Sequence, residues 1–136
     1  MILVDTSVLI DFLHGTKNEK EKLFEAVLVQ NLPFGITAYT YQEVLQGAKN
    51  ESEYKKLNAY LSTQLFYFLP ENHEAYEEAA RLYFDLRRQG VTPRSTIDVL
   101  IASIAIRYGL YLLHNDHDFD LIASKTSGLK ILRQLT

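Results

Sequence analysis

The feature that most narrows the folds open to this chain is an alternation repeated along its length: a short apolar run, then a stretch whose apolar residues recur every three or four positions. Ile2, Leu3 and Val4 form the first run and end at Asp5, and residues 7–13 follow with Val8, Leu9, Phe12 and Leu13 at helical spacing. The spacing predicts further helices over 19–29, about 39–48, 51–63, 71–89 and 95–108. In the 19–29 segment Leu23, Phe24, Val27 and Leu28 form one stripe, with Lys20, Glu21, Lys22 and Glu25 opposite, and Asn31 and Pro33 stop it. Strands are predicted over 34–37, 65–69 and 110–113, with 129–132 as a final edge strand, and the polar segment 114–120 reads as an acidic loop. Strands alternating with helices imply an α/β fold, a short parallel sheet flanked by helices on both faces. In open sheets of this kind ligands collect outside the carboxyl ends of the strands. Asp5 and Asp116 fall just after predicted strands, at that edge.

Composition narrows the function classes. A chain of 136 residues, 47% hydrophobic, is expected to form one domain over 1–136 around one core, and it contains no repeat or linker. Having no cysteine, it can build neither a disulfide framework nor a thiolate metal site, and the reducing cytoplasm is its expected compartment. The start of the chain has no basic segment and no long apolar segment, so a secretory leader is not expected. The longest uncharged stretch, 26–42, contains Gln30, Asn31, Pro33 and Gly35, so no membrane span is expected either. A net charge of −3 argues against a general nucleic-acid coat, whose affinity comes from Lys and Arg. It does not exclude an enzyme acting on nucleic acid, because carboxylates that hold cations are neutralised in use.

Each acidic residue has an ordinary reading when taken singly. Asp5, before Thr6 and Ser7, suits a helix N-cap. Glu43 follows Thr40 by three and Asp98 follows Ser95 by three, the capping-box spacing, with Asp replacing Glu in the second case. Asp116, Asp118 and Asp120 resemble the start of a calcium loop, but Leu121 stands where glycine is needed and Ser127 where glutamate is needed, which excludes it. The acids gain meaning together, since each falls at a strand end or in a first helical turn and all can face one edge. Carboxylates gathered there resist ionising together unless a cation compensates. Hard oxygen donors, with no cysteine and no close histidine pair, point to Mg²⁺ or Mn²⁺ rather than zinc. His14, His73, His114 and His117 read as surface or loop residues, and His117 is the one beside the acids.

Four segments in order, MILVDTSVLIDFL, TAYTYQEVLQGAKN, STIDVLIASIAIRYG and LLHNDHDF, resemble the PIN-domain ribonucleases, specifically VapC-type toxins, over nearly the whole chain. The resemblance implies a single PIN-like nuclease domain and a metal-dependent endoribonuclease that hydrolyses RNA phosphodiester bonds. It carries the catalytic, metal-holding acids onto Asp5, Glu43, Asp98 and Asp116, with Asp118 as an auxiliary acid and Ser7 as a hydroxyl near the metal. It also implies a cognate antitoxin protein and a homodimer. The chain departs from the pattern at His114, where the family commonly has threonine. Arg87, Arg88 and Arg94, upstream of Asp98, are the expected RNA contacts, against the plainer reading that Arg suits a helix C-terminus.

Two other functions fit parts of the chain. A haloacid-dehalogenase-like phosphatase also begins with an aspartate after an apolar strand, but its site resembles Asp-x-Asp and Ser7 occupies the second position here. A non-catalytic binding module would keep the same acids only as caps. Phe12, Phe24, Tyr54, Tyr60, Tyr76 and Tyr83 are in excess for one small core, so some are expected to line a groove for a partner helix, against the plainer reading, which is the better one for any single residue, that the ring is core and a tyrosine hydroxyl reaches the surface.

Overall fold

β1 (Ile2–Val4) has no exposed face: Ile2 is 7% exposed and Leu3 and Val4 are fully buried, which is why three apolar residues stand in succession. A parallel strand covered on both sides reads as a continuous apolar run, whereas a strand with one wet face alternates. The computed structural model describes residues 1–135. Around β1 it arranges β2 (Phe34–Thr37), β3 (Leu65–Tyr67), β4 (Tyr111–Leu113) and β5 (Lys130–Ile131) in the order β3-β2-β1-β4-β5, every neighbouring pair parallel. The register sets Leu3 beside Gly35 on one side and Leu112 on the other, so the ends of β1, β2 and β4 lie side by side.

The helices are α1 (Thr6–His14), α2 (Glu19–Val29), α3 (Ala38–Gln46), α4 (Glu51–Leu61), α5 (His73–Arg88), α6 (Thr96–Tyr108) and α7 (His117–Lys125). Alternate strand residues split the core into two layers. Ile2, Val4, Ile36 and Leu113 pack with Val8, Leu9, Phe24, Val44 and Leu61 from α1 to α4. Leu3 and Leu112 point the other way, against Leu86, Ile101, Ile104, Phe119 and Ile122 from α5 to α7. The fold class read from the sequence is borne out: a short parallel sheet with helices on both faces.

Two local readings are corrected. The segment 114–120 is not a loop throughout, because Asp116 caps α7 by accepting the Asp118 N–H, so Asp118 and Asp120 stand in the first turn of a helix. An apolar stripe interrupted by three aspartates carries little periodicity, and the cap supplies what the pattern lacks. The proposed box at Thr40 is also absent: Thr37 caps α3, its Oγ1 accepting the Thr40 N–H at 3.1 Å, so Glu43 lies in the body of that helix and not in its first turn. Of the aromatics expected at a groove, Phe24 is fully buried and stacks edge-on with Phe12 and Phe34, while Tyr54 and Tyr76 are about half exposed.

Gly109 closes α6 in the left-handed region (φ 63°), which lets β4 begin after only Leu110. Gly35 is required for a different reason, close approach: a Cβ there would stand 2.6 Å from the Tyr67 ring and 3.0 Å from the Leu65 carbonyl. Gly35→Ala is therefore expected to lose about 1–3 kcal/mol in a denaturant titration, the usual scale of overpacking. Adding Tyr67→Leu should recover part of the loss and not all of it, since the Leu65 carbonyl remains. Unchanged stability in Gly35→Ala would show that β2 and β3 are not held this closely.

Candidate active site

Asp5 is where the sheet turns into the first helix. Its N–H donates to the Leu113 carbonyl (2.9 Å), extending the β1–β4 ladder by one residue, and its own carbonyl accepts the Leu9 N–H (3.2 Å), which starts α1. The side chain caps α1: Oδ2 accepts the Ser7 N–H at 3.1 Å and the Ser7 hydroxyl at 2.7 Å. Only 4% of Asp5 is exposed. Burial pushes its carboxyl above the usual carboxylate range; the Ser7 and Thr6 hydrogen bonds pull the other way, and the charge of Glu43 adds to the rise. The Ser7 hydroxyl also accepts the Asn115 N–H at 2.9 Å, so it ties the segment after β4 to α1. This leaves Ser7 holding Asp5 in place, and leaves no second carboxylate for the Asp-x-Asp arrangement of a phosphatase.

Glu43 reaches the same edge from α3. Thr6 Oγ1 donates to Glu43 Oε1 at 2.7 Å and lies 3.1 Å from Thr40 Oγ1, which lies 3.4 Å from Thr37 Oγ1. Thr37 and Thr40 are fully buried. The sequence offers Thr40 only as a cap and Thr6 only as a neighbour of Asp5, and the hydroxyl chain that links them to Thr37 and Glu43 is not legible there. The available signal was their placement, Thr6 directly after the β1 acid and Thr37 at the carboxyl end of β2.

Asp98 stands in the first turn of α6, whose N-cap is Ser95. Ser95 Oγ accepts the Ile97 N–H, and among the described residues Asp98 makes no hydrogen bond in return, so only half of the expected box forms. The Asp98 carboxyl is instead pushed up to about 7, first by burial and then by the charges of Asp5, Asp116, Asp118 and Glu43. The charges of the other acids assigned to the site thus bear on Asp98, while Asp120 faces His114 and Arg133 instead.

Asp116 and Asp118 complete the group. The Asp116 N–H donates to His114 Nδ1 at 3.0 Å. His114 is 2% exposed, and burial pushes its imidazole below the ordinary value. Arg94 comes from the segment between α5 and α6. Its Nε donates to Asp118 Oδ2 at 3.0 Å, its N–H to the same oxygen at 3.3 Å, and its Nη2 stands 3.5 Å from Asp116 Oδ1. The structure therefore seats Arg94 among the acids. Arg87 and Arg88 remain on α5, Arg88 5.6 Å above the Phe84 ring and Arg87 5.9 Å from both Tyr83 and Phe84. His117 is exposed at the start of α7.

The donors are all hard oxygens and suit Mg²⁺ or Mn²⁺. Among the described residues no three Asp, Glu or His side chains are gathered closely enough to grip an ion as they stand. The hydrogen bonds explain the spacing, since Ser7 holds Asp5, Thr6 holds Glu43 and Arg94 holds Asp118. Asp98 is the carboxylate with no such tie. A half-buried acid surrounded by four others and left unpartnered is a place where added positive charge is favoured.

The PIN domain family matches residues 2–125. A VapC ribonuclease of Mycobacterium bovis is 31% identical over 128 residues, covering 93% of this chain and 95% of its own. Ribonuclease VapC51 of Mycobacterium tuberculosis is 33% identical over 125 residues, 91% of this chain and 86% of its own. Among solved structures, the VapBC2 complex of Rickettsia felis bound to a DNA fragment from its promoter contains a chain that superposes with a TM-score of 0.74 at 21% identity, covering 97% of this chain and 98% of that one.

The Asp98 value fixes a pH dependence. Its folded pKa, about 7, lies above the ordinary 3.8, so between these values the native state keeps a proton that the unfolded chain has shed. The group's contribution to stability is complete below the lower value and is lost as pH rises through the upper one. In chelator, the melting temperature of the wild type should fall relative to Asp98→Asn between roughly pH 4 and pH 7 and run parallel to it above. Asp98→Asn should be neutral or stabilising at pH 8. A destabilisation of about 1 kcal/mol there would mark Asp98 as a cap and remove it from the site.

Proposed function

The chain belongs to the PIN-domain family, and on that footing we propose that it is a Mg²⁺- or Mn²⁺-dependent endoribonuclease, the toxin of a toxin–antitoxin pair, working through Asp5, Glu43, Asp98 and Asp116. The observation that carries this reading is the placement of Asp98, a half-buried carboxyl without a hydrogen-bond partner whose ionisation is opposed first by burial and then by four neighbouring carboxylates. When bound among these oxygens, a divalent ion lowers the pKa of an attacking water and offsets charge on the phosphoryl group. The chain's own residues supply placement. Ser7 fixes the direction of Asp5, Thr6 that of Glu43, and the α7 cap that of Asp116. Asp118 acts as an auxiliary acid, held by Arg94. No side-chain nucleophile is required.

Substrate contacts fall to the arginines. Arg87 and Arg88 have no carboxylate partner among the described residues, in contrast to Arg81, whose Nε lies 3.2 Å from Asp85. Five residues lie between Arg88 and Arg94, a span of at most about 22 Å, so an RNA strand entering the acidic site can pass within reach of both guanidinium groups. Arg94, now paired with Asp116 and Asp118, would add a further positive charge at the mouth if those carboxylates served to hold an ion.

The antitoxin partner is supported by a cleft of about 350 Å³ between α1, α3 and α4, lined by Ile10, Leu13, Val44 and Leu57 and bordered by Glu43. An apolar helix seated there would carry a basic side chain to the acids. A homodimer is supported by the exposed Tyr76 and Phe68, which border one cavity with Tyr39 and Tyr67. No described helix is long and apolar enough to cross a membrane. We assign the cytoplasm from the RNA substrate and the cysteine-free chain.

Asp5→Asn, Glu43→Gln, Asp98→Asn and Asp116→Asn are each expected to fold and to lower RNA cleavage on the order of a hundredfold or more, with losses that do not add. Calorimetry with Mn²⁺ on the same variants should show weaker binding. A variant that binds Mn²⁺ as the wild type does and cleaves normally is a cap only; if all four behave so, the chain is a binding module that kept the fold. The double variant Arg87→Ala, Arg88→Ala should raise KM severalfold with kcat little changed and reduce the salt dependence of RNA binding. An unchanged KM would confine the arginines to the helix end.

A further inference from the structure

His114 follows the last residue of β4 and is buried against Phe119, their ring centroids 5.1 Å apart. Its two nitrogens face different groups. Nδ1 lies 3.0 Å from the Asp116 nitrogen, whose N–H it accepts, and a nitrogen that accepts carries no proton. The ring proton of this neutral imidazole is then on Nε2. That atom is buried with no close hydrogen-bond partner, as is Asp120 Oδ1, and the two face each other at 3.4 Å. The pair is not aligned as a hydrogen bond, but a carboxylate oxygen this close to Nε2 favours the tautomer with the proton on that nitrogen, in agreement with the accepting Nδ1. Arg133, from the segment after β5, sets its Nη2 3.6 Å from the same Asp120 oxygen.

We propose that His114 is a positioning residue for Asp116: a neutral imidazole, protonated at Nε2 and oriented by Asp120 and Arg133, pins the Asp116 N–H and so fixes the direction in which the Asp116 carboxylate enters the acidic site. The proposal rests on the reading of Asp116 as a metal-site acid. The Asp116 side chain is already committed at one oxygen to the Asp118 N–H, and its carbonyl accepts the Phe119 N–H at 3.1 Å, so the N–H side of its backbone is the freedom that remains to be removed. The Nδ1 bond removes it, and the chain Arg133–Asp120–His114–Asp116 carries the constraint from the far edge of the sheet to the site.

The chemistry separates the variants. Asparagine presents its Oδ1 near the position of Nδ1 and accepts an N–H two residues on; leucine fills the space without accepting. Nitrogen-detected NMR of the wild type should show His114 protonated at Nε2 and bare at Nδ1 at neutral pH, and a proton on Nδ1 would overturn the proposal. Calorimetry with Mn²⁺ should show H114L at least about tenfold weaker than the wild type and H114N within about threefold, the range over which loss or retention of an orienting partner acts. Hydrogen exchange at the Asp116 amide should be slow in the wild type and H114N and fast in H114L. If D116N loses the ion while H114N binds as weakly as H114L, positioning by His114 is wrong and the site reading stands. If D116N binds Mn²⁺ as the wild type does, Asp116 is not a ligand and both fall. The NMR and the H114N measurement need no unstable variant, so poor folding of H114L does not protect the idea.

Discussion

Everything at the site depends on the way Asp5 ends one structure and begins another. Its backbone closes the ladder between the two central strands and opens α1 without an intervening loop residue. A junction of this kind leaves the carboxylate no freedom, because the same oxygen that caps the helix is held by the Ser7 hydroxyl. Capping and cation binding draw on one geometry: a cap aims lone pairs in a fixed direction, and a carboxylate has oxygen to spare for a second task. The acid is thereby made stiff by the fold before any ligand arrives. Its burial is what makes it costly to ionise alone and receptive to positive charge.

The neighbouring acids set up a conflict that the free protein resolves only in part. Arg94 meets Asp116 and Asp118, raising its own pKa in turn, but its guanidinium is largely in solvent and its ion pairs contribute little to stability. Asp98 is left without a partner, and burial, with the charges of the others added to it, pushes its carboxyl up to about 7. Such an arrangement opposes ionisation in the free protein and favours the arrival of positive charge, as perturbed groups at functional sites do. Asp5 follows β1, Glu43 stands on α3, Asp98 on α6 and Asp116 at the start of α7. A cation shared by these four carboxylates would therefore link four separate elements of the fold.

The fold was legible in the sequence because burial on both faces writes itself into composition: Ile2-Leu3-Val4 and Tyr111-Leu112-Leu113 read as strands with no alternation to decode. The acids were legible as a set for a related reason, that strand ends and helix starts lie on one edge of a parallel sheet. What escaped was tertiary. Glu43 was placed in a first turn by a Thr-x-x-Glu spacing that the chain does not use, since Thr37, and not Thr40, caps α3. α7 was missed because its start is defined by the side chain of Asp116 and not by any apolar period. Arg94 appeared among basic residues along the chain, and only the packing of α6 against α7 shows that it faces acids 22 and 24 residues further on.

The polar residues behind the acids show how a site of like charges is kept open without collapsing or flying apart. Three of the acids are held by donors that carry no full charge: the Ser7 hydroxyl for Asp5, the Thr6 hydroxyl for Glu43, a backbone N–H for Asp116. Lysine or arginine at those places would neutralise the carboxylates and compete with the cation; apolar residues would let them turn away from one another. Hydroxyls and amides fix direction while leaving most of the negative charge in place. Arg94 is the exception, and it is the one holder that is largely exposed and on a segment outside any helix or strand, so it can release its carboxylates without disturbing the sheet. The division of labour follows from position: neutral donors where the backbone is buried and permanent, a charged one where it can leave.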